Sequence, residues 1–337
     1  MRLSGFDNVQ HYYRYTPPSL PAGCVITGGT MHEQAQSAQG IGYFYDITGS
    51  WNSSVTWNTA PSVSGTLVGA MSIPASMAWD SADISAGVRY WNSSSNYGLE
   101  ETGQYGNYNT YGGIYSAGSA PYTPYIALSY YNEPGAISLS SVTPVSVTAT
   151  WSANGNDSTP TYNLYRNGTL IYSGTGLSYT DTGVSPGTGY TYTVKVAYTA
   201  PSGYTDTGTT YYSATQTAST TTPIVAAPGA FTTPTYGQTS IALNWGTNGQ
   251  GGTFYVLTRN GSQIYSGANT TYTDSGLATG TTYSYIVKTG ITGGAGTFYS
   301  TTQTASYATL PGNPTVTGAC GLQAWSGTGG TGYVTLS

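Results

Sequence analysis

The chain has 337 residues, only 6% of them Lys, Arg, Asp or Glu against roughly a quarter in an ordinary globular protein, and it abounds in Gly (47) and Tyr (34). Seven cations and a net charge of -5 leave no basic patch able to neutralise a run of phosphates, which excludes nucleic-acid binding, and no stretch of about 18 apolar residues offers membrane insertion. The length predicts two or three domains, and a surface with so little colloidal repulsion fits a protein that lives in an assembly or under a coat of sugar.

The opening segment, "MRLSGFDNVQHYYRY", shows no apolar run of signal-peptide length. His11 and His32 have no Cys or carboxylate at ligand spacing, so no metal and no cofactor is expected. Cys24 and Cys320 lie near opposite ends of the chain, which excludes a dense disulfide framework. Aromatics then gather: Trp51, Trp57, Trp79, Trp91 and the stretch "YGNYNTYGGIY" over 105–115. Flat aromatic faces flanked by amides suit a sugar ring, and Tyr105, Tyr108 and Tyr111 are the candidate carbohydrate contacts.

The only helical period is Ile84, Val88 and Trp91 at i, i+4 and i+7 behind Asp83 as a cap, which predicts about two turns. Everywhere else short alternating runs rich in Thr, Val and Tyr, broken by Gly, Asn and Pro, predict β-strands with one face packed and the other wet. The close carboxylate pairs are Glu100-Glu101 and Asp80/Asp83. Adjacent residues of a strand point to opposite faces, so Glu100-Glu101 reads as a solvated strand end rather than a glycosidase pair, and no catalytic residue is assigned.

From residue 134 the chain repeats itself. "RNGTLIYSGTGLSYTDTG" (166–183) returns as "RNGSQIYSGANTTYTDSG" (259–276), so Arg166, Asp181, Tyr192 and Lys195 correspond to Arg259, Asp274, Tyr285 and Lys288 at a spacing of 93. "YYSATQTAS" (211–219) returns as "FYSTTQTAS" (298–306) at 87, so the second copy is shorter in its last hairpin. Each unit has one early Trp, Trp151 or Trp245, as the bulky centre of a two-sheet core. Asn167-Gly168 and Asn260-Gly261 suit tight hairpin turns. Val184 and Leu277 each precede a Tyr by six residues, Tyr190 and Tyr283, placed to close the corner between sheets by bonding upstream backbone.

With the opening Pro and Trp and the "Y.LYRNG" middle, these residues make both units resemble fibronectin type III domains. The resemblance implies seven-stranded sandwiches and says little about chemistry. Over 1–133, "WNSSVTWNTAP", "DISAGVRYWNSSSNYGL" and "YSAGSAPYTPYIALSY" resemble, in order and spacing, a DNRLRE domain, a β-sandwich family of large bacterial extracellular proteins related to alginate-type carbohydrate-binding modules. The resemblance implies that Trp57 and Trp91 are core residues. It also implies two or three strands ahead of "YYRY", where this chain has only a dozen residues.

The expected architecture is all-β, tandem β-sandwiches: a jelly-roll-like sandwich over 1–133, two immunoglobulin-like fibronectin type III sandwiches over 134–222 and 223–310, and a β segment over 311–337 acting as donor strand or as the start of a further domain. The expected function is that of a non-enzymatic, extracellular or cell-surface structural and adhesive protein, self-associating head to tail into a filament by strand complementation. Cys24 and Cys320 are the candidate intersubunit disulfide, and Asn52, Asn92, Asn156, Asn167, Asn260 and Asn269 are sequons open to glycosylation. Two alternatives stand beside it: a carbohydrate-binding protein of a cell surface or glycan-degrading system, with polysaccharide as partner, and a phage tail or head appendage.

Overall fold

A computed structural model of the chain describes residues 2–4, 9–13, 20–35, 40–50, 60, 62–73, 78–92, 98–105, 123–156 and 159–312. They form tandem β-sandwiches in two compact units, Met1–Val225 with Ile291–Phe298, and Ala226–Gly290 with Tyr299–Ser337.

The N-terminal sandwich begins with β1 (Arg2–Ser4), β2 (Val9–Tyr13), β3 (Val25–Ala35), β4 (Gly40–Ile47), β5 (Val63–Ile73) and β6 (Ala78–Asp83). Helix α1 (Ser85–Tyr90), β7 (Leu99–Tyr105) and β8 (Tyr125–Tyr131) follow. One sheet runs β1-β2-β7-β4-β5 and the other β6-β3-β8, all pairs antiparallel. Alternation places Ile26, Met31, Phe44, Val68, Met71, Ala82 and Leu99 in one core. The predicted helix supplies Ile84 and Val88 to that core at full burial, with Trp91 packed against its edge. Asp83 accepts from Ser85 N at 2.9 Å, although Ile84 occupies the N-cap position itself. The helix lies close against the sheet at Gly87, where a Cβ would meet Asp46 Oδ1 at 2.9 Å and Val68 at 3.1 Å.

The carboxylate expectation fails here. Glu100 and Glu101 do point to opposite faces, but they are 4% and 0% exposed, because β7 is an inner strand between β2 and β4 rather than a wet end. Glu101 lies across Gly42, whose missing Cβ gives the carboxylate its room.

The first fibronectin-like sandwich has a sheet of β9 (Ser138–Thr143), β10 (Ser146–Thr150) and β13 (Ser178–Asp181). Facing it are β11 (Thr161–Arg166), β12 (Thr169–Gly174), β14 (Gly189–Thr199), β15 (Thr210–Tyr212) and β16 (Gln216–Thr221), the last two being one interrupted strand against β14. The second copy repeats this with β17 (Thr235–Tyr236), β18 (Ser240–Asn244) and β21 (Thr271–Ser275) against β19 (Thr253–Arg259), β20 (Ser262–Gly267), β22 (Thr282–Gly293) and β23 (Gly296–Ala308). The predicted devices are in place. Trp151 and Trp245 are buried in their cores. Asn167, Gly168, Asn260 and Gly261 all take positive φ, as a type I′ hairpin turn requires. Tyr190 accepts from Ser185 N at 2.8 Å and Tyr283 from Ala278 N at 2.9 Å, which closes each corner.

The duplicated Arg, Asp and Tyr form a triad in each copy, with the Asp and Tyr buried and the Arg half-buried at the edge. Tyr192 donates to Asp181 at 2.9 Å while Arg166 reaches the same carboxylate at 2.9 Å. In the second copy Tyr285 donates to Asp274 at 2.7 Å and Arg259 pairs with it at 2.7 Å. Burial, then the bond to the neighbouring carboxylate, drives both tyrosine hydroxyls well above their usual ionisation range. Each triad ties the two sheets together, the Asp from one sheet meeting the Arg and Tyr of the other.

Within the first unit the N-terminal sandwich and its neighbour are fused. Val25 of β3 belongs to the core of the first fibronectin-like sandwich, and Ala214 N donates to Gly23 O at 2.8 Å. Arg89 of α1, 1% exposed, grips the loop after β14: Nε donates to Asp206 Oδ2 at 2.7 Å and Nη2 to Oδ1 at 2.6 Å. Its guanidinium lies 4.5 Å from the Tyr204 ring centroid, and the Tyr204 hydroxyl donates to Asp83. Burial opposes ionisation of Asp206, but the Arg89 bonds and charge outweigh it and hold the carboxyl below its usual range.

Candidate functional site

The three-stranded sheet β6-β3-β8 turns one face inward with Met31, Glu33 and Ala82 and the other face outward. Register fixes what the outer face carries. His32 lies opposite Ser81 on one side and Tyr125 on the other, and Gln34 lies opposite Trp79. Directly paired residues share a face, so His32, Gln34, Trp79, Ser81 and Tyr125 form one patch.

Its rings are ordered and open. His32 and Tyr125 stack with centroids 4.6 Å apart at 14°, and Trp79 meets Tyr125 at 5.8 Å and 59°. Trp79 is 44% exposed and Tyr125 49%, whereas the core aromatic Phe44 is 0% exposed. Gln34 is buried, and its Oε1 has no hydrogen-bond partner among the described residues. Burial seals that oxygen from solvent, so what the face offers a ligand is its open rings and the exposed Ser81 hydroxyl. Flat rings beside amide and hydroxyl groups can receive the C–H face of a sugar and hydrogen-bond its edge.

The sequence contains half of this patch: Trp79 is among the gathered aromatics, and "AWDSAD" alternates so that Trp79, Ser81 and Asp83 share the wet face. What the sequence could not supply was the pairing partner that brings Tyr125 beside it. Of the candidate tyrosines, Tyr105 ends β7 opposite Gly40 in the other sheet, and Tyr108 and Tyr111 lie outside the described residues.

Cys24 is a half-buried free thiol whose pKa is pushed up by burial, and Cys320 lies outside the described residues. Asn92 exchanges two hydrogen bonds with the backbone of Ile26, at 2.7 and 2.8 Å, and Asn156 is bonded to Asn132 and Ala153. Asn167 and Asn260 are exposed turn residues whose side chains accept from Thr191 N and Ser284 N. Asn269 is exposed, and Asn52 lies outside the described residues. Among the described residues no group of three His, Cys, Asp or Glu is placed to hold a metal ion.

Over 12–130, where the tryptophan segments suggest a DNRLRE domain, the family model that matches is carbohydrate-binding module family 96. A stretch of 164 residues, 45% of this chain, is 37% identical to exoglucanase B of Cellulomonas fimi, covering 15% of that protein. Over 163 residues the chain is 34% identical to chitinase A1 of Niallia circulans, covering 46% of this chain and 23% of the enzyme. The chain thus spans less than a quarter of either relative. Among solved structures, the two-domain fibronectin type III segment of chicken tenascin overlays with a TM-score of 0.25 at 15% identity, covering 53% of this chain and 100% of that one. The fibronectin(III)-like modules of Clostridium thermocellum CbhA give 0.23 at 14% identity, over 52% and 94%.

Proposed function

We propose that this chain is a non-catalytic carbohydrate-binding protein of the extracellular space that holds polysaccharide on the outer face of its N-terminal sandwich. Trp79 and Tyr125 provide the stacking platform, His32 stiffens Tyr125 by stacking on it, and the exposed Ser81 hydroxyl provides a hydrogen-bonding group. The two fibronectin-like sandwiches act as spacers that hold this face away from whatever the chain is attached to.

The observation that carries the reading is the exposed, ordered aromatic patch inside the stretch that matches a carbohydrate-binding module family. The likeness to an exoglucanase and a chitinase supports a place in a secreted glycan-degrading system. Cys320 and residues 313–337, on which a head-to-tail filament would depend, lie outside the described residues.

Affinity electrophoresis through gels containing cellulose derivatives, soluble chitin, xylan or alginate tests it. The native chain is expected to be retarded by at least one of them. Trp79→Ala with Tyr125→Ala should abolish that retardation while the circular dichroism stays unchanged, and equal retardation of the folded double variant would sink the reading.

A further inference from the structure

The first fibronectin-like sandwich carries an open polar cleft of about 390 Å³, within the range of roughly 300–1,000 Å³ typical of small-molecule sites. It lies on the outer face of the β12-β11-β14-β15 sheet and is walled by Tyr131 at the end of β8. Register explains its floor. Ser173 pairs with Asn163, and Thr161, Ala197 and Tyr212 form one row across β11, β14 and β15. Every side chain lining the cleft is uncharged, and most carry a hydroxyl or an amide.

The second copy shows the same place filled. The position of Thr161 is taken by Phe254, that of Asn163 by Val256 and that of Ala197 by Gly290. Phe254 lies so close over Gly290 that a Cβ there would come within 3 Å of the ring, and it meets Tyr299, the counterpart of Tyr212, edge-on at 6.3 Å. The exchange is double: the first copy lacks the aromatic plug, and its floor is an amide where the second has a buried Val. Loss of the plug alone would leave an apolar socket for a side chain. Loss of the plug together with a polar floor leaves a site for a hydroxylated ligand.

From this we infer that the cleft of the first fibronectin-like sandwich is a second glycan-binding site, for a neutral oligosaccharide. Ser173 donates to Asn163 Oδ1 at 2.8 Å, which occupies the amide oxygen and leaves the Asn163 NH₂ to donate to a sugar hydroxyl. Tyr212 is 42% exposed and held in place by Lys195, whose Nζ lies 3.6 Å from its ring centroid. Tyr131 is fixed edge-on against Tyr198 at 6.3 Å, so two tyrosines and a row of hydroxyls are preorganised around the opening. The uncharged, hydroxyl-rich lining matches the hydroxyls of a neutral oligosaccharide. This site is independent of the aromatic patch on the N-terminal sandwich.

Hydrogen–deuterium exchange of the full-length Trp79→Ala, Tyr125→Ala variant separates the two sites. Cellohexaose, xylohexaose, mannohexaose and chitohexaose serve as probes at about 10 mM, enough to fill a site whose Kd is near 1 mM. At least one should slow exchange in peptides covering 159–163, 197–199 and 210–212. Thr161→Phe, which installs the second copy's plug, should remove that protection with the thermal midpoint unchanged. Asn163→Val, which installs its floor, should weaken binding about tenfold, on the order of 1.4 kcal/mol. No protection from any of the four probes, or protection that survives in folded Thr161→Phe, overturns the inference.

Discussion

The two fibronectin-like copies share their skeleton and differ on the outer face of one sheet and in one hairpin. Both keep the buried Trp, the tyrosine corner, the Asn-Gly hairpin and the Arg-Asp-Tyr triad, with Lys195 over Tyr212 and Lys288 over Tyr299 as a further match. They part in two places. One is the cleft that Phe254 closes in the second copy. The other is the last hairpin, where β22 turns directly into β23 through Gly294 and Ala295, while the first copy inserts a loop over 200–209. That loop carries Tyr204 and Asp206, the residues that hold Arg89 and Asp83. A repeated sequence therefore marks what the sandwich needs in order to fold, and a broken repeat marks what one copy does that the other does not.

The largest effect expected from breaking this comparison comes from Asp206→Ala. It strands the buried Arg89 guanidinium, which costs about 3–5 kcal/mol. The first unit should unfold at markedly lower urea while the second, which has no counterpart of the loop, keeps its own transition. A single unchanged transition, followed by fluorescence and by proteolysis, would show that the loop is not a structural tie.

Buried carboxyls provide the next contrast. Asp181 and Asp274 each have an Arg and a Tyr, whereas the carboxyl of Asp46 has burial as its dominant influence, which raises its pKa to about 6. A carboxyl raised in the folded state stabilises below its unfolded pKa near 4, and that stabilisation is lost as pH rises through about 6. Asp46→Asn should therefore be neutral near pH 4 and stabilise above pH 6 by on the order of 3 kcal/mol. Asp181→Asn and Asp274→Asn, which weaken the bonds to a paired Arg and Tyr, should each destabilise their own copy by about 2 kcal/mol at neutral pH, by amounts equal within about 0.5 kcal/mol. Unequal losses would mean that the triads are not equivalent.

Phe254→Thr is the gentlest of the three. Phe254 is half-buried, and its removal should cost about 1–2 kcal/mol, less than a fully buried Phe, while opening on the second copy a groove like that of the first. A loss of about 4 kcal/mol or more would mark Phe254 as a core residue rather than a plug.

Much of this is legible in the amino-acid sequence. Periodicity found α1, the 93-residue repeat found the second sandwich, and six-residue spacing found Tyr190 and Tyr283, because each of these signals is local. Arg89 and Asp206 are 117 residues apart, and nothing in "GVRY" says that its cation is buried. "LEETG" looks wet because two carboxylates in a row normally are, and only the central place of β7 overrules it. The aromatic patch and the cleft are assembled across strands, by register, which a single sequence does not state.

Strand β8 has one more consequence. Tyr125 at its start belongs to the aromatic patch and Tyr131 at its end to the cleft, six residues later. At about 3.3 Å per residue the strand sets them roughly 20 Å apart, and its pairing with β3 prevents that interval from stretching. If both proposed sites take glycan, the strand works as a yardstick: a glycan shorter than the interval would occupy one end at a time, and only one long enough to span it would engage both.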